Sequence, residues 1–461
     1  MSDNARGTTL SSAHSTTSTT SLTRRGAARR SLLKSTALGL GALALAPALL
    51  ACGMLPGRGG DRLTIWTDAT FAPPSDDYQT EEIQKWAQSK NIEVEVTRET
   101  GDNVRQKLQA AVESKQLPDI SQMDVGRFTA FYPAGILTDV SDLYAEFGKA
   151  WGGFYKPAEQ IATKEGKQWM LPYSIDSNLI LYRKDLLEAG GFGEAPKTWD
   201  ELFTMAQKVQ TPPNVYGVGF QINRAGTDAE DTYNLMMHGY GGAIVGTDSK
   251  LTNIKTPEML AFLNRLKSSW EMGVYPPGVT GWDNAANNTA LQDEKVVFIH
   301  NPASPLVWFR TNKPDMLPKI GVGSVPAGPK GSFNTAYVRD GFTILNTGNE
   351  RRMELSRDLM RHLYSQEVYR KWIELAFPSP AVAGMEDHEV WKNPQRKGFL
   401  EAAKTGILQG HPGQPSQAYS EFVNRQPLIS AFARMVVDGW SPEQALDELA
   451  TVAEEVFSKY K

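Results

Sequence analysis

The chain has 461 residues, 41% hydrophobic and 22% charged, which is long enough for two domains with separate cores. Its net charge of −4 is uneven: Arg6, Arg24, Arg25, Arg29, Arg30 and Lys34 against Asp3 give residues 1–51 a net +5, leaving −9 on the remainder. That acidic remainder argues against a nucleic-acid surface, and the single cysteine, Cys52, excludes an intramolecular disulfide.

In chain order, a Ser/Thr-rich head leads to Arg29-Arg30-Ser31-Leu32-Leu33-Lys34 and an apolar run from Ala37 to Ala51. A basic segment, a short apolar segment and a small residue are the parts of an export signal; the run is shorter than the ~20 residues a spanning helix needs. The paired arginines resemble the twin-arginine export motif, and Leu49-Leu50-Ala51-Cys52 resembles a lipobox with Cys52 as the lipidated residue. Residues 1–51 are thus expected to be a signal peptide and the glycine-rich residues 52–61 a flexible tether.

From Leu63 onward, strand and helix patterns alternate. Leu63–Trp66 predicts a strand, Tyr78–Lys90 a helix, and Ile92–Val96, with its strict alternation, a half-buried strand. Val104, Leu108, Ala111 and Val112 recur at helical spacing before a third strand at Ile120, and a β-α-β-α-β run implies parallel strands. In the stretch Leu171–Leu187, Pro172 favours extended backbone, Leu179–Tyr182 reads as a buried strand, and Asp176 is an isolated carboxylate just before it. This stretch predicts a crossing between two lobes. Thr198-Trp-Asp-Glu201 reads as a capping box, Val215–Phe220 as a strand, and helices are expected from near Glu230 and from Thr256. Val296–Ile299, Ile320–Val325 and Phe342–Leu345 read as strands, Glu350–Tyr364 as a helix, and Ser441-Pro-Glu-Gln444 as the cap of a last helix.

These segments resemble, in order and spacing, an extracellular solute-binding protein of a bacterial ABC importer, in the cluster of maltose-type sugar receptors. Pro172–Leu187 is similar to that family's "P…LYYNKDL" crossing, Pro196–Leu202 to its "PKTWDEL" helix start and Asp293–Ile299 to its "GKAAM" strand. The resemblance implies an α/β fold of two lobes, 62–174 plus 324–377 and 175–323 plus 378–461, hinged around a ligand cleft. It further implies a monomer that takes up a carbohydrate with no cofactor or metal, docks on permease and ATPase subunits, and is held at the outer membrane face by lipid.

Loops beyond strand ends are where such sheets bind ligands. The ligand-binding candidates are Asp68, Asp124, Tyr173, Asp176, Gln221, Arg224, Trp282, Asn301, Asp340 and Tyr419: acids and amides for hydroxyls, and aromatic rings for apolar sugar faces. Trp86, Trp199 and Trp372 fall on helical faces and are expected in the core. Arg127, Arg224 and Arg339 keep a glycerol-phosphate-type ester or an organic anion open as the ligand. From another class, a secreted glycoside hydrolase would use a carboxylate pair. No nucleophile elbow, His-Glu-x-x-His or phosphate-binding loop is present, and the six histidines are scattered without metal-ligand spacing.

Overall fold

The structure, a computed structural model, describes residues 62–460 apart from Phe71 and residues 224–226. The expected signal peptide, the tether, Cys52 and Arg224 lie outside the described residues. The strands are β1 (Arg62–Asp68), β2 (Glu93–Glu99), β3 (Ile120–Met123), β4 (Thr163–Lys164), β5 (Lys167–Gln168), β6 (Leu171–Asp176) and β7 (Leu179–Arg183). They continue with β8 (Tyr216–Val218), β9 (Val296–Asn301), β10 (Ile320–Gly323), β11 (Tyr337–Ile344) and β12 (Ser379–Pro380).

Two main sheets result, β12-β6-β11-β3-β1-β2 and β10-β7-β9-β8, each with its own apolar core. The expected parallel run is present: β1 pairs in parallel with β2 on one side and β3 on the other, because an intervening helix returns the chain to the same end of the sheet each time. β11 then inserts antiparallel between β3 and β6. The first core gathers Leu63, Ile65, Phe128, Trp151, Tyr173, Phe342 and Trp372; the second gathers Leu181, Trp199, Phe203, Phe262, Phe298 and Phe432. All the tryptophans expected on helical faces, Trp86, Trp199 and Trp372, are buried.

The first crossing between sheets is the two-residue step Ser177-Asn178 between β6 and β7, and the second is residues 324–336 between β10 and β11. A third crossing comes later than the expected boundary at 378. β12 bonds to the edge of β6, so Ala381, Val382, Met385 and Trp391 stay on the first core. The helix Pro394–Thr405 then spans both cores, with Leu400 and Ala403 on the first and Phe399 and Ala402 on the second.

Other expectations shift for local reasons. The first helix starts at Pro73 rather than Tyr78, since prolines are tolerated in a first turn. At Thr198 only half of a capping box forms: its hydroxyl accepts from the Glu201 N–H at 3.1 Å, but the Glu201 carboxylate takes the Lys197 N–H at 2.7 Å. At Ser441 both halves are present. Among the described residues no helix is long and apolar enough to cross a membrane.

The second crossing is laid against the helix Thr227–Tyr240 at a point where neither backbone has a side chain. A Cβ on Gly328 would sit 2.4 Å from the Gly239 carbonyl carbon and oxygen, and the Lys330 N–H donates to the Gly239 carbonyl at 2.8 Å. Gly328→Ala is therefore expected to destabilise the protein by about 1–3 kcal/mol, the usual range for overpacking. Denaturant unfolding would measure it, and an unchanged midpoint would show that this contact yields freely.

Candidate functional site

Between the two cores lies a cavity of about 530 Å³, within the usual range for small-molecule sites. On the side of the first core it is lined by Arg105, by Asp124 just beyond β3, by Asp176 at the end of β6, and by Tyr337 and Arg339 of β11. The opposite wall carries Glu230, Asp231 and Asn234 of the helix Thr227–Tyr240, Asn288, Asn301 at the end of β9, and Tyr419 with Phe422. Strand ends thus supply the acids of one wall and an amide of the other, as the sheet geometry requires.

Asp176 is 6% exposed, and Arg339 Nη1 donates to its Oδ2 at 3.2 Å. Burial pushes its carboxyl up to about 6 against the pull of Arg339. Asp124 caps the helix Val125–Phe131, accepting the Arg127 N–H at 2.7 Å, and its Oδ2 also accepts from Arg127 Nε at 3.1 Å. The buried Tyr337 hydroxyl bonds to the same carboxylate; burial, and then the Asp124 charge, hold that phenol well above its ordinary range.

Across the cavity, Asp231 Oδ2 accepts from Asn178 Nδ2 at 2.8 Å and from Thr335 Oγ1 at 2.7 Å, which ties both crossings to one helix. Glu230 accepts the backbone N–H groups of Leu428 at 3.1 Å and Ile429 at 2.9 Å, so its carboxylate occupies the N-terminus of the helix Pro427–Val437. Asn301 Oδ1 accepts from Asn287 Nδ2 at 2.9 Å and its Nδ2 donates to Asn288 Oδ1 at 2.5 Å, while Tyr419 donates to Asn234 Oδ1 at 3.1 Å.

Of the sequence candidates, Asp124, Asp176, Asn301 and Tyr419 line the cavity. Asp68 stands behind it: Arg127 Nη1 donates to its Oδ1 at 2.6 Å and Nη2 pairs with its Oδ2, so it holds Arg127 rather than a solute. Tyr173 faces the first core, stacked on Tyr369 with ring centroids 4.2 Å apart. Three residues before Asp176 on one strand, it points to the opposite face. Asp340 accepts from Ser174 Oγ instead of facing the cavity, one residue past Arg339. Gln221 is buried, its Nε2 3.4 Å from the Asp283 carbonyl, and Trp282 packs half-buried on the second core. Sequence reasoning missed Glu230, Asp231 and Asn234. Their signal was three polar residues close together on a helix otherwise packed with Tyr233, Leu235, Met236 and Met237. Among the described residues no group of three His, Cys, Asp or Glu could hold a metal ion.

With this geometry in hand, comparison with known proteins is informative. A family model described as "Bacterial extracellular solute-binding protein" matches residues 81–398. A "Probable ABC transporter-binding protein" of Deinococcus radiodurans is 28% identical over 282 residues, 59% of this chain and 66% of that relative, so the matched region spans about two thirds of its length. A "Diacetylchitobiose binding protein" of Streptomyces coelicolor is 25% identical over 213 residues, 44% of this chain and 46% of that one. The crystal structure of a Thermotoga lettingae ABC transporter solute-binding protein, bound with α-D-tagatose, superposes with a TM-score of 0.73 at 22% identity, over 86% of this chain and 100% of that one. This is the two-lobe fold of periplasmic binding proteins.

The buried acids give the protein a specific pH response. Burial raises Glu230 from the ordinary 4.5 to about 8, against the pull of its two N–H donors. Its ionised form is thus disfavoured by folding, and its contribution to stability is full below about pH 4.5 and lost as pH rises through 8. Asp176 and Asp231, both raised from 3.8 to about 6, act with the same sign between those values. The melting temperature should therefore fall from pH 4.5 to 8, and Glu230→Gln should flatten the slope above pH 6; equal slopes in the two proteins would contradict this.

Proposed function

The chain belongs to the bacterial extracellular solute-binding proteins, and from that premise we propose that it is the receptor of an ABC importer that holds a neutral sugar or oligosaccharide between its lobes. The family is one of binding proteins rather than enzymes, and of exported ones. Relatives and structural neighbours named for diacetylchitobiose or bound to tagatose support a carbohydrate.

The observation that carries the neutral ligand is that Arg127 and Arg339 beside the cavity already have carboxylates, which leaves Arg105 as the one cavity-lining arginine without an ion pair among the described residues. Arg127 is held by Asp68 and Asp124 and Arg339 by Asp176, while the helix N-terminus at Pro427 is already filled by the carboxyl of Glu230. A phosphate or carboxylate entering there would meet Asp124 and Asp176 and pay like-charge repulsion. Hydroxyls, by contrast, can donate to Asp124, Asp176 and Asp231 and exchange hydrogen bonds with Asn234, Asn288 and Asn301. Tyr419 and Phe422, with ring centroids 6.0 Å apart, back the cavity wall from within the second core. Closure of the lobes about the three crossings would bury the solute, and the closed form is what a permease would recognise.

A thermal-shift and calorimetric screen tests this. Saturable binding of a mono-, di- or oligosaccharide is expected; binding of glycerol phosphate or a sugar phosphate with no neutral sugar bound would overturn it, and so would turnover of an oligosaccharide. Against the sugar found, Asp176→Asn should weaken affinity by about 1.5–3 kcal/mol, the range for a hydrogen bond to a charged group.

We also assign export to the paired arginines and lipid anchoring to Cys52. Its anchoring role is checked by cell fractionation, in which Cys52→Ala should leave the membrane fraction; retention there would refute the anchor.

A further inference from the structure

The pairings around the cavity leave one cation over. Arg105 lies on the helix Gly101–Ser114, half-buried in the cavity wall, and makes no hydrogen bond or ion pair among the described residues. Its planar group of donors thus borders the cavity with no protein acceptor to hold it.

A cavity-lining carboxylate, Asp124, stands close by, but its partner is Arg127 and it forms no ion pair with Arg105. Between the two is Gly126, on the helix Val125–Phe131. A Cβ on Gly126 would lie 3.3 Å from Asp124 Oδ1 and 3.8 Å from Arg105 Nη2. Beyond the glycine's own helix, no other described atom comes within 4 Å of that point, and Gly126 is itself partly exposed. Opposite charges therefore flank one small opening, which exists because residue 126 has no side chain.

The charges decide which group suits the opening. A carboxylate or phosphate oxygen would accept from Arg105 but oppose Asp124, and an ammonium would do the reverse. A hydroxyl serves both, since it accepts from the guanidinium and donates to the carboxylate. Asp124 has room for that donor. A carboxylate offers about four lone-pair sites, and the Arg127 N–H, Arg127 Nε and the Tyr337 hydroxyl take three of them.

We propose that Arg105, Asp124 and Gly126 form a specificity seat for one unsubstituted hydroxyl of the sugar, which accepts from Arg105 Nη2 and donates to Asp124 Oδ1. This rests on the reading of the solute as a neutral sugar. Methylation of that hydroxyl removes its proton, and a carboxylate in its place meets Asp124, so the seat selects against both.

Calorimetric titration of the full chain with D-glucose, maltose, cellobiose, D-glucuronate and glycerol 3-phosphate tests this. Arg105→Met and Gly126→Ala should each weaken whichever neutral sugar the wild type binds by about tenfold or more, the effect of losing a hydrogen bond to a charged group. Both remove the same contact, so the double variant should be little weaker than either single one. Melting temperatures should stay near that of the wild type, because Gly126 has no positive φ, its added methyl meets only side-chain ends, and Arg105 has no partner to lose. Wild-type sugar affinity in either folded single variant would overturn the seat and leave the sugar receptor standing. D-glucuronate bound more tightly than D-glucose, with that preference lost in Arg105→Met, would also overturn it. Binding of glycerol 3-phosphate with none of the neutral sugars would instead overturn the sugar reading, and the seat with it.

Discussion

One carboxylate holds the two halves of this protein in relation to each other. Asp231 accepts hydrogen bonds from Asn178 in the first crossing and Thr335 in the second, and it lies on the helix that forms one wall of the cavity. Any change in the angle between lobes must bend these crossings, so the same side chain that can meet a solute also fastens the pivots. The close approach of Gly328 to Gly239 fixes the second crossing to the other end of that helix. Hinge and site are thus built from shared parts, which suits a protein whose signal is its own closure.

The cavity is polar yet largely self-neutralised. Asp176 with Arg339, Arg127 between Asp68 and Asp124, and Glu230 on a helix N-terminus each satisfy a charge locally. The arrangement has a cost: three of the acids are held above their ordinary values by burial. In return, acceptors are set in advance and their orientation need not be gained on binding. Among the described residues, Arg105 in the cavity wall and Arg396 outside it depart from this pattern of local pairing.

Much of the fold was legible because its signals are local. Strand alternation at Ile92–Val96, helical spacing from Val104 to Val112 and the hydroxyl caps at Thr256 and Ser441 depend on neighbours within a few residues. The crossing at Asp176 was legible for the same reason, as an acid entering an apolar strand. Alternation along that strand also separates Tyr173 from Asp176, so the error over Tyr173 was avoidable. β11 was read too short, from Phe342 rather than Tyr337, because Arg339 and Asp340 look like loop residues until their buried partners are known.

The amino-acid sequence by itself determined the alternating strands and helices and the position of the first crossing, because periodicity and caps act over a turn or a strand, while the two-lobe architecture and the family followed from the resemblance of its ordered motifs. Only the tertiary structure decided which polar residues face the cavity. Asp68, Asp124, Asp176 and Asp340 are alike in sequence, and what separates them is where each finds a partner: Arg127, Arg339 or Ser174, between 3 and 166 positions away in the chain. Those pairings are set by sheet order and strand face, and a carboxylate's role follows from them.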